Sequence, residues 1–401
     1  MLKMDKVGFI YTEDFFKYNF GEHHPLQPIR LELTHKLMES YGLLKNPNLV
    51  IQKPAMATLE DLSLVHAKEY IDAVKKYSQH PKDIVGKHQR DTFGLGSLDN
   101  PVFPGMFEAS SMAVGASIAA AELVMDESNG INTAFNIAGG LHHAMRKLAH
   151  GFCIFNDASI AIQKIRVKYP DSKIMYLDVD CHHGDGVQDT FYNDPDVLTL
   201  SIHQDGHTLF PGTGFMEEQG NEAGKGYSIN FPVYPGTYDS VYLDMFKLLI
   251  PRIMVAFQPD VLVTQLGADT YYGDPLTEMG LSTSGHYKMY HLIKNYVKQY
   301  SKGRWIAVGG GGYLMSAVPR SWTLALASML DVNLPNEIPD EWIQFYEQKN
   351  IDEPTPYELR DNNYRAEEQI LKNPMYSVRI EERLDAIEKY VMDEVLPNIQ
   401  R

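Results

Sequence analysis

What most constrains this chain is a rhythm. Short runs rich in β-formers, at residues 7–11, 133–137, 173–177, 197–202, 227–233, 261–265 and 304–308, alternate with helical stretches such as 106–125, 157–169, 240–257 and 284–300. Runs that are apolar on both faces need cover above and below, and a helix between successive strands returns the chain to begin the next strand in the same direction. The pattern therefore predicts a parallel sheet covered by helices on both faces, an α/β fold. At 401 residues, 44% of them hydrophobic, length alone admits two or three domains. The alternation continues unbroken to about Leu330 and argues for one.

Two strings carry the chemistry: Gly139-Gly140-Leu141-His142-His143 and Asp178-Val179-Asp180-Cys181-His182-His183-Gly184-Asp185. The second follows a strand-like run, 173–177. If the chain stays extended there, Asp178, Asp180 and His182 share one face while Val179 and Cys181 share the other. Open α/β sheets place their ligands at the carboxyl ends of strands, so three metal donors stand where a site is expected. A further ligand comes from Asp269, in Gly267-Ala268-Asp269 at the end of another buried-strand pattern, 260–266. Two carboxylates and one imidazole leave a coordination position open for water or substrate, as catalytic zinc requires.

With these strings, the segments Gly151-Phe152-Cys153-Ile154-Phe155-Asn156-Asp157, Phe210-Pro211-Gly212-Thr213-Gly214, Asp274-Pro275-Leu276-Thr277 and 304–313, ending Gly309-Gly310-Gly311-Gly312-Tyr313, make the chain resemble the zinc-dependent histone deacetylases and their bacterial relatives. Within that family the likeness is to the acetoin utilisation proteins of the AcuC type. It runs from about Val7 to about Leu330, with the motifs in the family's order and spacing.

The resemblance implies the arginase/deacetylase fold with an eight-stranded parallel sheet, and hydrolysis of the amide of acetyl-lysine in a protein, here a metabolic enzyme, to lysine and acetate. It makes Asp180, His182 and Asp269 the zinc ligands. His143 would be the general base and then the acid, with His142 its electrostatic partner. Asp178 and Asp185 would orient the two imidazoles. Tyr313 would donate to the scissile carbonyl. A potassium ion would use Asp178, Ser201 and backbone oxygens of Asp180, His182 and Ile202. Phe152 and Phe210 would sandwich the lysine methylenes, with Leu276 near the rim. Gly151 and Asp99 would meet the substrate's amide and backbone, and Arg30 would line an acetate pocket below the metal. An Asp-His-Asp set accepts Fe(II) or Co(II) as well as zinc.

Other features exclude or limit. No Gly-Lys-Ser/Thr follows the glycine run 309–312, so it is not a phosphate loop; close backbone packing under Tyr313 accounts for it. His66, His88, His203 and His207 read as structural or exposed. Cys153 and Cys181 fit no Cys-x-x-Cys pattern and read as buried thiols in strands. No stretch reads as long and apolar enough to span a membrane, and residues 1–6 lack the core of a signal peptide, so a cytoplasmic location is expected. A net charge of −16 argues against direct nucleic-acid binding.

Residues 331–401 read as a C-terminal extension. Ile380, Leu384, Ile387 and Val391 give it an amphipathic helix that packs on its own domain or makes a homodimer contact. A ureohydrolase of the arginase type would need a second carboxylate two residues after Asp269, where Tyr271 stands. A polyamine deacetylase would be told apart by its substrate. A non-catalytic acyl-lysine binding module would have lost a ligand, the histidine pair or the tyrosine.

Overall fold

The computed structural model describes residues 6–84, 92–362 and 364–399. His88 lies outside them. Eight strands form one sheet: β1 (Lys6–Ile10), β2 (Leu49–Gln52), β3 (Ile131–Asn136), β4 (Ile174–Asp178), β5 (Val197–Gln204), β6 (Ser228–Val233), β7 (Val261–Gln265) and β8 (Trp305–Val308). Every pairing is parallel, in the order β2-β1-β3-β8-β7-β4-β5-β6. β4, β7 and β8 are buried at every position, as strands covered on both faces must be. β2 is the strand that the pattern did not show. It is a four-residue edge with no fully buried position, so it carries no apolar run to read.

The strand order explains where a site can form. The chain builds β1 to β3 on one side and β4 to β6 on the other, then returns through β7 and β8 to fill the gap. The loops leaving β3, β8, β7 and β4 therefore meet at one carboxyl edge, where the direction of winding changes. Register sharpens this. Asn136, Val308, Gln265, Asp178, Ser201 and Asn230 lie level across six adjacent strands. Five of the six are polar and all are buried, an arrangement hydrocarbon packing alone would not select.

The helix Met106–Met125 corrects one expectation, because it is long and apolar enough to cross a membrane by length and composition. Its Ala- and Ser-rich surface is instead buried on most sides against β3 and the helix Asp157–Lys168. The helix Asp157–Lys168 starts on a side-chain cap, Asn156 accepting from the Ser159 N–H at 2.9 Å. Its neighbour Asp157 turns back to accept from the N–H groups of Gly140 (3.0 Å) and Leu141 (2.7 Å), fixing the loop that ends in His142 and His143. Cys153 and Cys181 are buried free thiols, although in loops rather than strands.

The extension covers its own domain. The helix Pro374–Tyr390 lies on β6 and the helix Asp239–Phe257 with Ile380 and Ile387 buried, Val391 buried just past its end, and Leu384 partly so. Arg383 pairs with Asp205 at 2.6 Å. Further back, Glu353 accepts from the N–H groups of Met315 and Ser316, both at 2.8 Å. Asp361 accepts from Tyr271 Oη (2.6 Å), Arg320 Nη1 (2.7 Å) and Thr283 Oγ1 (2.8 Å).

Candidate active site and metal centre

β4 ends at Asp178, so the pleat does not carry the next residues, and the three donors divide into two layers. Asp178 stays with the histidine pair. Its Oδ2 accepts from the Tyr176 hydroxyl at 2.7 Å and meets His142 Nδ1 at 2.8 Å, while Oδ1 accepts from the Asp180 N–H at 3.1 Å. Asp180 and His182 turn instead toward Asp269. His182 Nδ1 lies 3.1 Å from Asp180 Oδ1 and 2.9 Å from Asp269 Oδ2, and one donor atom from each of the three residues lies within 4.8 Å of the others.

The remaining oxygens of this cluster are held from behind. Asp180 Oδ2 accepts from Gln265 Nε2 (2.6 Å) and the Gly311 N–H (2.7 Å), and Asp269 Oδ1 from the Cys181 N–H (2.8 Å). These bonds orient the carboxylates without using the oxygens that face His182. The glycine run matters here, beneath the ligands as much as beneath Tyr313, because a Cβ at Gly311 would fall 2.1 Å from Asp269 Oδ2.

The electrostatics ask for a cation. Burial alone would lower the His182 pKa, but hydrogen bonds to Asp180 and Asp269 outweigh it and hold the imidazole at about 10. Asp269 is pushed up by burial and by the charge of Asp180 beside it. Two buried carboxylates converging on one imidazole nitrogen form a borderline donor set with an excess of negative charge, which a divalent ion such as zinc fits.

The second layer is a relay of imidazoles. His142 Nε2 and His143 Nε2 are 3.0 Å apart, and His143 Nδ1 lies 2.6 Å from Asp185 Oδ1. Burial opposes a charge on His142, yet the nearby charge of Asp178, then of Asp180, raises its pKa to about 9. His143 is driven the other way, to about 3, by burial first and then by the charge on His142. The two imidazoles are therefore pushed in opposite directions, His142 toward the cation and His143 toward the neutral ring.

Above them opens a cavity of ≈220 Å3, lined by Asp99, His143, Gly151, Phe152, His182, Leu209, Phe210, Leu276 and Tyr313. Phe152 and Tyr313 meet edge to face at 5.7 Å between ring centres, and Phe210 stands edge to face on His143 at 5.1 Å. Phe152 sits at φ +67°, a conformation that costs a non-glycine residue on the order of 1 kcal/mol or more. It is held there by the Tyr18 hydroxyl, which donates to its carbonyl at 2.8 Å. Gly151, at φ +49°, has no room for a side chain: a Cβ would lie 2.3 Å from His143 Cδ2. Exposed Asp99 stands at the rim, its carbonyl 3.2 Å from His24 Nε2. His150 packs against Phe210 at 4.7 Å.

Beneath the histidine pair is a smaller cavity of ≈20 Å3, lined in part by Arg30, His142, His143, Gly310, Gly311 and Tyr313. Arg30 is buried and donates through Nη1 to the carbonyls of Gly310 (2.7 Å) and Gly312 (3.1 Å), with its guanidinium over Trp322 at 5.1 Å. Ser201 lies level with Asp178 on β5, followed by Ile202. Of the other histidines, His66 and His203 are buried in hydrogen bonds away from the cluster, whereas His207 is exposed.

Sequence reasoning missed Tyr176, Gln265 and Asp274. Asp274 accepts from the N–H groups of Tyr313 (2.8 Å) and Leu276 (3.0 Å), tying two pocket walls together, and burial followed by the charge of Asp269 pushes its pKa to about 8. Gln265 had a usable signal: an amide closing a buried strand that opens on three apolar residues.

Comparison with known proteins agrees with this geometry. A profile of the histone deacetylase domain matches residues 24–329. The acetoin utilisation protein AcuC of Bacillus subtilis (strain 168) is 42% identical over 339 residues, 84% of this chain and 85% of that protein. The AcuC of Staphylococcus xylosus is 35% identical over 84% and 86%. Among solved structures, an HDAC homologue from Aquifex aeolicus superposes with a TM-score of 0.79 at 30% identity, covering 92% of this chain and 99% of that one, as does an HDAC homologue complexed with SAHA. The eight-stranded parallel sheet is that of the arginase/deacetylase fold, and the chain belongs to the histone deacetylase family.

Proposed function

We propose that the protein is a divalent-metal-dependent lysine deacetylase that hydrolyses the side-chain amide of acetyl-lysine in protein substrates. The observation that carries this reading is the convergence of His143, His182 and Tyr313 at one aromatic-walled cavity, directly over the Asp180–His182–Asp269 cluster. Bound there, zinc supplies Lewis acidity, polarising the amide carbonyl and acidifying a water molecule.

The chain's own groups supply the rest. His143 donates Nδ1–H to Asp185 and keeps Nε2 as the base. Held toward the neutral form, it is placed to take a proton from an attacking water and to return it to the leaving amine. His142, its charge supported by Asp178, stabilises negative charge developing beside it. Tyr313 keeps its proton, since burial raises its pKa well above the ordinary value, and donates to the carbonyl oxygen as charge builds there. Phe152 and Phe210 take the lysine methylenes between them, Leu276 lies near the rim, Gly151 meets the side-chain amide, and Asp99 accepts from the substrate backbone. Arg30 draws acetate into the lower cavity. Asp178 and Ser201, with backbone oxygens of Asp180, His182 and Ile202, are the groups that would hold a potassium ion. The likeness to AcuC proteins supports a lysine on a metabolic enzyme and a link to acetoin or acetate metabolism.

The test is acetate release from an acetyl-lysine peptide, with chelation and zinc restoration, beside Tyr313→Phe. Metal-dependent turnover that collapses in the variant supports the reading. Failure of a zinc-loaded, folded protein to cleave the peptide while it cleaves acetylated polyamines would replace it.

A further inference from the structure

A second cluster of donors stands beside the first. His143, His150 and Asp185 each bring one ligand atom within 4.8 Å of the others. Two edges of the triangle are short: His143 Nδ1 to Asp185 Oδ1 at 2.6 Å, and His150 Nδ1 to Asp185 Oδ2 at 3.3 Å. Both carboxylate oxygens are thus faced by ring nitrogens. Only the first contact is a hydrogen bond, and His150 Nδ1 is a buried polar atom with no hydrogen-bond partner. The deacetylation chemistry makes no use of His150, and Asp185 already orients His143 without it.

We propose that His143, His150 and Asp185 form a second, inhibitory site for a divalent transition-metal ion, occupied when zinc is in excess. Two imidazoles and a carboxylate suit zinc, whose bonds of about 2.0–2.2 Å set neighbouring donors ~3.3 Å apart. The His150–Asp185 separation already has that value. The pocket supplies the entry path: His143 lines it, and the His150 side chain is 31% exposed beside Phe210. On binding, the ion takes the place of the Nδ1 proton of His143 between ring and carboxylate, and Nε2 carries the proton instead, so the ring stays neutral. With Nε2 already protonated, the coordinated ring has no lone pair left to accept a proton from water, and turnover stops. The inference goes beyond the proposed deacetylation and depends on it only for the activity readout.

The test uses the full chain loaded with one equivalent of zinc, then titrated with zinc while acetyl-lysine peptide hydrolysis is followed. Cobalt bound per chain is counted in parallel by equilibrium dialysis. The wild type should bind a second, weaker equivalent and lose activity as that equivalent fills. His150→Ser and His150→Gln should keep wild-type activity at one equivalent. Because even loss of a supporting partner costs about 10–100-fold in metal affinity, zinc inhibition should move at least tenfold upward in both variants. Inhibition at unchanged zinc concentration in either folded variant, or an unchanged metal count, overturns the proposal. If the peptide is not a substrate at all, the metal count still decides this question, and the loss falls on the deacetylase reading alone.

Discussion

Substitution of Gly151 by alanine tests how tightly the base is placed. The new Cβ would stand 2.3 Å from His143 Cδ2, 2.7 Å from Cγ and 2.9 Å from Phe210 Cε1. Ordinary carbon contacts lie near ~3.6 Å, so about 1.3 Å of clearance must be found. His143 cannot yield freely, because Nδ1 is anchored to Asp185 and the ring is buried against His142. Alanine at φ +49° adds roughly 1 kcal/mol, and overpacking a buried contact roughly 1–3 kcal/mol more, so about 2–4 kcal/mol of stability should be lost. Catalysis should suffer more, since a ~1 Å displacement of a catalytic group costs on the order of 100-fold. Zinc content measured alongside kcat on an acetyl-lysine peptide should show a bound metal and a rate reduced by about two orders of magnitude. A folded Gly151→Ala enzyme with wild-type kcat would refute the claim that His143 packs on a bare backbone.

Tyr313→Phe should leave metal content intact and lower kcat by about 10²–10³-fold, as expected when a donor to a developing oxyanion is removed; retained turnover would remove Tyr313 from that role. Asp178→Asn takes away the foremost charge sustaining His142, so His142 loses its proton more easily and His143, relieved of a cationic neighbour, gains basicity. Because the base must be unprotonated, the acidic limb of the kcat/KM profile should move to higher pH, and an unmoved limb contradicts the assigned coupling. Chelation should lower Tm as well as activity, since a free ion at about 1,000 times its Kd stabilises by roughly 4 kcal/mol; calorimetry showing no change would deny a metal linked to folding. Glu353→Ala should reduce kcat while sparing metal content, because it frees the backbone just after Tyr313 and touches no ligand.

The candidate metal cluster was legible because its chemistry has few substitutes: only a short set of side chains binds a divalent ion, and Asp180, His182 and Asp269, which the fold brings together, follow strand ends where such chains collect. The four helices named between the strands were equally readable, 106–125 to the residue, since helix-forming composition is local. What escaped has a common cause. β2 has no second face to bury, so it leaves no pattern. Tyr176, Gln265 and Asp274 act through convergence, each meeting a partner two to 85 positions away. The division of Asp178 from Asp180 and His182 depended on where β4 stops, which the alternation could not locate.

The two carboxylates Glu353 and Asp361 have a consequence for when this enzyme becomes competent. Each fastens a loop that carries site residues, yet each follows those loops in the chain. During synthesis the sheet can close and the aspartates and histidines can gather while both loops still lack their anchors. The pocket is then finished only after the sheet is built, and a ribosome that stalls just short of Glu353 leaves behind a nearly complete fold without a finished tool.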